Sequence, residues 1–184
     1  MGKFTFTETE IPGVVVIEPQ VFGDDRGYFM ETYQKDQFAA AGIDKEFVQD
    51  NQSRSTRGVL RGLHFQKSFP QGKLVSVSLG SVFDVAVDIR RDSPTFGQWY
   101  GAELTQENQR QLWIAPGLAH GFVVTSETAH FHYKCTERYH PEDEGSIRWN
   151  DPELNVAWPI SAPKLSAKDE SAPFFAELKR QLGA

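Results

Sequence analysis

Apolar and polar residues alternate along most of this chain with the two-residue period of half-buried strands. Residues 13–19 form a β-branched run, Val14-Val15-Val16-Ile17, that ends at Pro19. Asp24-Asp25-Arg26-Gly27 reads as a turn. Residues 28–33 then read as a strand with Phe29, Glu31 and Tyr33 on one face and Tyr28, Met30 and Thr32 on the other. The clearest strands are 72–80 and 81–90, and Leu79-Gly80-Ser81 between them predicts a hairpin. In the second of these, Phe83, Val85, Val87 and Ile89 alternate with Asp84, Ala86 and Asp88, so one face packs and the other carries carboxylates. Shorter runs near 47–53, 99–104, 111–114, 121–125 and 129–136 continue the pattern. Helix-forming composition closed by Gly42 predicts a short helix over 34–42. A second helix is expected over 173–182, opened by Pro173 and closed by Gly183.

Many short strands with few helices predict a mainly all-β fold, most simply a double-sheet jelly-roll barrel, in one domain over residues 1–184. The composition is that of an ordinary globular chain, 39% hydrophobic and 24% charged, and no apolar run approaches the ~20 residues of a membrane span. The first residues lack a long apolar segment, so a cytoplasmic location is expected. A net charge of −6 argues against nucleic acid as a partner, though a local basic pocket can still hold a small anion. A single cysteine, Cys135, excludes an internal disulfide framework and a Cys-based zinc site.

The stretch richest in chemistry is Arg57-Gly58-Val59-Leu60-Arg61-Gly62-Leu63-His64-Phe65-Gln66. It combines arginine forks suited to phosphate, a histidine able to move protons near neutral pH, and glycines that allow close approach. On a regular strand Arg61 and His64 would point to opposite faces. A bulge at Gly62 would realign them. Gln49 and Asn51 share a face and suit amide contacts to a ligand. Lys73 opens a strand whose face it shares with Val75 and Val77, and a tight turn at 115–119 delivers His120 at a strand start. Phe131, Tyr133 and Cys135 share an apolar face, with His130, His132 and Lys134 opposite. A metal-binding cupin would want two histidines one residue apart on the inward face with a carboxylate following. His64 has no such partner, and His130 and His132 lie on the wrong face.

Taken in order, Asp25-Arg26-Gly27-Tyr28-Phe29-Met30-Glu31-Thr32, Gln49-Asp50-Asn51, the run from Gly58 to Gln66, Gly72-Lys73-Leu74-Val75, Phe83-Asp84-Val85-Ala86-Val87-Asp88, Pro116-Gly117-Leu118-Ala119-His120-Gly121-Phe122, Tyr133-Lys134-Cys135-Thr136, Glu144-Gly145-Ser146-Ile147-Arg148-Trp149 and Leu165-Ser166-Ala167-Lys168-Asp169 span nearly the whole chain. In this order and spacing they resemble the dTDP-4-dehydrorhamnose 3,5-epimerase family of cupin-like sugar-nucleotide epimerases. The resemblance implies α-proton abstraction and return at C3 and C5 of a dTDP-4-keto-6-deoxy sugar, with no metal and no redox cofactor. It implies His64 as base, Asp169 as its orienting carboxylate, Lys73 as the cation at the C4 oxygen and Tyr133 as proton donor. Arg26, Glu31, Gln49, Asn51, Arg61, His120, Glu144 and Lys168 are implied in substrate binding. A homodimer is also implied, its N-terminal strands reaching into the partner's site. Single-centre epimerisation, a metal-dependent cupin enzyme and a non-catalytic nucleotide-sugar binder remain the alternatives.

Overall fold

The structure is a computed structural model that describes residues 3–183, so residues 1, 2 and 184 of the expected domain lie outside the described residues. The strands are β1 (Phe4–Glu8), β2 (Val14–Pro19), β3 (Val21–Asp24), β4 (Gly27–Met30), β5 (Gln49–Thr56), β6 (Leu60–Gln66), β7 (Lys73–Leu79), β8 (Ser81–Asp88), β9 (Trp99–Thr105), β10 (Gln111–Ile114), β11 (Leu118–Val124), β12 (Thr128–Cys135) and β13 (Glu144–Ser146). The helices α1 (Lys35–Ala40), α2 (Ala167–Glu170) and α3 (Phe175–Leu182) are short.

Alternation sorts these strands into two layers. A six-stranded sheet runs β1-β2-β10-β7-β12-β5 and a five-stranded sheet runs β13-β6-β11-β8-β9, with β3 and β4 as a separate two-stranded ribbon. Among the described residues the sheets are not closed on each other, so the expected jelly roll is an open double sheet rather than a sealed barrel. Val75, Val77, Leu112 and Phe131 of the first sheet meet Val82, Ala86 and Phe122 of the second between the layers. The outer face of the second sheet, Leu63, Phe65, Val85 and Val87, is covered by Ile147, Leu154, Phe175 and Leu178. Full burial of such side chains contributes about 1.5–3 kcal/mol each, and this holds the C-terminal segment, including α2, against β6.

Four expectations need correction. The predicted hairpin at Leu79-Gly80-Ser81 does not form: β7 pairs with β10 and β12, while β8 pairs with β9 and β11. Gly80, at φ +75°, instead carries the chain from one sheet to the other. A Cβ there would lie 2.0 Å from the Thr128 carbonyl oxygen. The strand expected over 28–33 stops at Met30. Both faces of β8 pack, and Asp84 and Asp88 lie on the face between the sheets, fully buried. The final helix ends at Gly183 with φ +66° as expected, but Pro173 precedes its N-cap, Phe174.

Candidate active site

Between the two sheets opens a cavity of about 440 Å³. Its geometry begins at Gly62. His64 pairs with His120 and Arg61 with Phe122, so three steps along β6 match two along β11 and one residue is extra. Only glycine fits: φ is +128°, and a Cβ would fall 2.5 Å from Gly121 Cα. The bulge turns both Arg61 and His64 toward the cavity, resolving the conflict that strict alternation raised. Arg61 Nε and Nη2 donate to Ser55 Oγ at 3.2 and 3.1 Å, which steadies the guanidinium at the wall.

His64 Nε2 lies 2.5 Å from Asp169 Oδ1. Asp169 stands in α2, whose N-cap Ser166 accepts from its backbone N–H at 3.1 Å and donates its hydroxyl to Oδ2 at 2.8 Å. Burial raises the Asp169 carboxyl, but the bond to His64, the His64 charge and Ser166 outweigh it, leaving the group below its ordinary value. An ionised carboxylate only accepts, so the Nε2 hydrogen points at Asp169, which leaves Nδ1 as the ring nitrogen free to exchange a proton. Nδ1 is 4.0 Å from Glu144 Oε1. Glu144 also accepts from Tyr139 Oη at 2.8 Å and pairs with Lys168. Burial pushes the Glu144 carboxyl up, and the bonds from Lys168 and Tyr139 with the His64 charge bring it net down.

The opposite wall comes from the other sheet. Lys73 faces the cavity from β7 and Tyr133 from β12. Burial pulls the Lys73 ammonium below the ordinary lysine value, partly opposed by Cys135, Asp84 and Glu144. Burial raises the Tyr133 phenol, helped by Cys135 and Glu144 and opposed by Arg61. On the second sheet His120 Nε2 sits 2.9 Å from Asp84 Oδ2. Burial lowers His120, and Lys73 and His64 add to that against the raising effect of Asp84.

Of the residues singled out in the sequence, Arg61, His64, Lys73, His120, Tyr133, Glu144 and Asp169 line this one cavity. Lys168 joins it through Glu144. Gln49 and Asn51 bond to each other, and each has a further partner: Gln49 accepts from the Tyr139 N–H at 2.9 Å, and Asn51 donates to Cys135 Sγ at 3.6 Å. Neither lines the cavity. Arg26 and Glu31 do not line the cavity: Arg26 is exposed on the β3–β4 ribbon and bonded to Asp24, and Glu31 just beyond the ribbon pairs with Lys3. Sequence reasoning gave no role to Ser53, Gln66, Lys164 and Ser166, which also line the cavity. Asp84 carried a signal, its alternation with Ala86, but no role.

Among the described residues no three His, Cys, Asp or Glu side chains gather as metal ligands do, and no helix is long and apolar enough to cross a membrane. A jelly roll that sets a carboxylate-bonded imidazole, an ammonium and a phenol around one cavity has the parts of a cupin-type acid–base enzyme. The chain belongs to the dTDP-4-dehydrorhamnose 3,5-epimerase family, whose model matches residues 8–177. It is 58% identical over 173 residues to the dTDP-4-dehydrorhamnose 3,5-epimerase of Pseudomonas aeruginosa, covering 93% of this chain and 96% of that protein. The Salmonella typhimurium enzyme of the same name is 57% identical over 169 residues, 90% of this chain and 92% of its own. The crystal structure of the dTDP-6-deoxy-D-glucose-3,5-epimerase from Legionella pneumophila in complex with dTDP-4-keto-L-rhamnose superposes with a TM-score of 0.92 at 52% identity, covering 95% of this chain and 96% of that one.

Proposed function

We propose that this protein converts dTDP-4-dehydro-6-deoxy-D-glucose to dTDP-4-dehydro-L-rhamnose by inverting C3 and C5, with no metal or redox cofactor. The observation that carries the reading is the pair of opposed walls: His64, held by Asp169, on one sheet, and Lys73 with Tyr133 on the other. The hydrogens at C3 and C5 are both α to the C4 ketone. His64 Nδ1 takes one as a proton, the C–H electron pair becomes an enolate, and the imidazolium that forms is steadied by Asp169. Lys73 neutralises the charge at the C4 oxygen. Tyr133 returns a proton to carbon from the other face, and solvent restores both side chains. Since the electrons never leave the sugar, no oxidant is needed.

In this reading Arg61, His120, Glu144 and Lys168 bind the substrate inside the protomer, and Gln49 and Asn51 contribute amides at its edge. Arg26 and Glu31 reach the site of a second copy. The exposed ribbon supports that assignment, with Phe22, Tyr28 and Phe29 uncovered at 45%, 58% and 63%. The working form is a homodimer. A free buried thiol, Cys135, suits the reducing cytoplasm as its location.

The test is solvent deuterium exchange into the 4-keto sugar, read separately at C3 and C5. Deuterium at both carbons with formation of the L-sugar is expected. Deuterium at one carbon only after long incubation would make the protein a single-centre epimerase, and none at all would make it a binder. Tyr133→Phe should leave washout of the substrate hydrogens detectable while lowering inverted product by about 10²-fold.

A further inference from the structure

Two buried aspartates share the inward face of β8, and their surroundings differ. Asp88 has both oxygens bonded, to Arg90, Ser93 and Thr95, as a carboxylate kept for structure does. Asp84, with no exposed surface, has one bond: its Oδ2 accepts from His120 Nε2 at 2.9 Å, while Oδ1 is sealed from solvent with no partner. Leaving a buried acceptor unmet is unfavourable, and such groups recur at functional sites. Asp84 lies diagonally across the ladder from His120, which pairs with Ala86, so the side chains meet on one face.

That bond fixes which ring nitrogen of His120 carries the hydrogen. The carboxylate accepts, so Nε2 is protonated. Burial, with Lys73 and His64 nearby, opposes a second proton on the ring. Among the described residues Nδ1 has no protein partner and is not sealed from solvent, so it opens on the cavity that His120 lines. A neutral Nδ1 can only accept. We propose that Asp84 is a positioning residue that locks His120 as a hydrogen-bond acceptor, so that the site requires a free hydroxyl on the sugar at the point where Nδ1 meets it.

This rests on the epimerase reading and deepens it. In a 4-keto-6-deoxy sugar joined to diphosphate through C1, the only ring hydroxyls are those at C2 and C3, so one of these is the donor. His120 therefore leaves the C4 oxygen to Lys73, because an acceptor beside a forming enolate would repel it.

Two measurements on the unaltered protein and one on a variant test the proposal. ¹⁵N-histidine NMR should show His120 with protonated Nε2 and bare Nδ1 at neutral pH. Deuterium exchange at C5 should be about 10²-fold slower, as kcat/KM, for one of the two analogues lacking the C2 or the C3 hydroxyl, and near normal for the other. Asp84→Leu should shrink that discrimination below about 10-fold, a readout that lost stability alone would not move. A proton on Nδ1, equal exchange by both analogues and the parent sugar, or full discrimination kept in Asp84→Leu would each overturn it. Should Asp84→Leu not fold, the two measurements on the unaltered protein decide. No exchange with the parent sugar would sink the epimerase reading instead, while the NMR still reports the ring's tautomer.

Discussion

Asp169 Oδ1 lies 2.5 Å from His64 Nε2 although 105 positions separate the two residues. The carboxylate reaches the imidazole because the C-terminal segment folds back over the outer face of β6, with Phe175 and Leu178 buried beside Leu63 and Phe65. Asp169→Ala should therefore lower kcat for proton exchange by about 10²–10⁴-fold while the fold survives. His64→Ala should abolish exchange at both carbons. Near-normal exchange in His64→Ala, measured by deuterium incorporation, would show that another group is the base.

Lys73 sets the alkaline limit. Its protonated form is the one that can hold an enolate, and burial places its titration below the ordinary lysine range. Activity should fall as pH rises through that lowered value. Lys73→Arg, whose guanidinium stays charged, should remove this limb from the kcat/KM profile whatever activity remains. Lys73→Met should cost about 10²–10³-fold in kcat at neutral pH. A limb left in place by Lys73→Arg would assign it to another group.

The ribbon gives a test of shared sites. Arg26→Ala and His64→Ala should each inactivate the protein alone. If Arg26 serves the neighbouring copy's cavity, unfolding and refolding an equal mixture of the two inactive variants should recover about a quarter of normal activity, since half the dimers are mixed and each holds one intact site. No recovery from refolded dimers would place Arg26 in its own protomer's site or outside catalysis.

Asp88 is a stability prediction. Burial raises its carboxyl, but Arg90, Ser93 and Thr95 overcome that and bring it down to about 2. The folded value lies below the unfolded ~3.9, so the stabilisation is complete above about pH 4 and drains away as pH falls toward 2, at about 2–3 kcal/mol in total. Asp88→Asn should lower Tm by roughly 5–10 °C at pH 7 and flatten the acid dependence between pH 4 and 2, followed by circular dichroism.

How far the sequence could be read depended on what each residue's signal distinguishes. Alternation located most strands but missed β1, β3 and β13, and it exposed the conflict between Arg61 and His64 that the bulge at Gly62 settles. It could not tell a hairpin from a crossing between sheets at Gly80, because a glycine flanked by strands is needed for both. Nor could it decide which face of β8 turns inward, since Val85 and Val87 pack against the C-terminal segment and Asp84 against the interior. Ser53, Lys164 and Ser166 carry no pattern of their own. Only the tertiary fold brings them to the cavity.

The crossing at Gly80 bears on the cavity itself. One residue joins the strand that carries Lys73 to the strand that carries Asp84, and the Thr128 carbonyl leaves no room for a side chain on it. That single residue ties the two sheets together at the end of β7 opposite Lys73. The cavity thus lies between sheets that the chain itself joins, and a side chain added at Gly80 would press on that joint rather than on the groups that line the cavity.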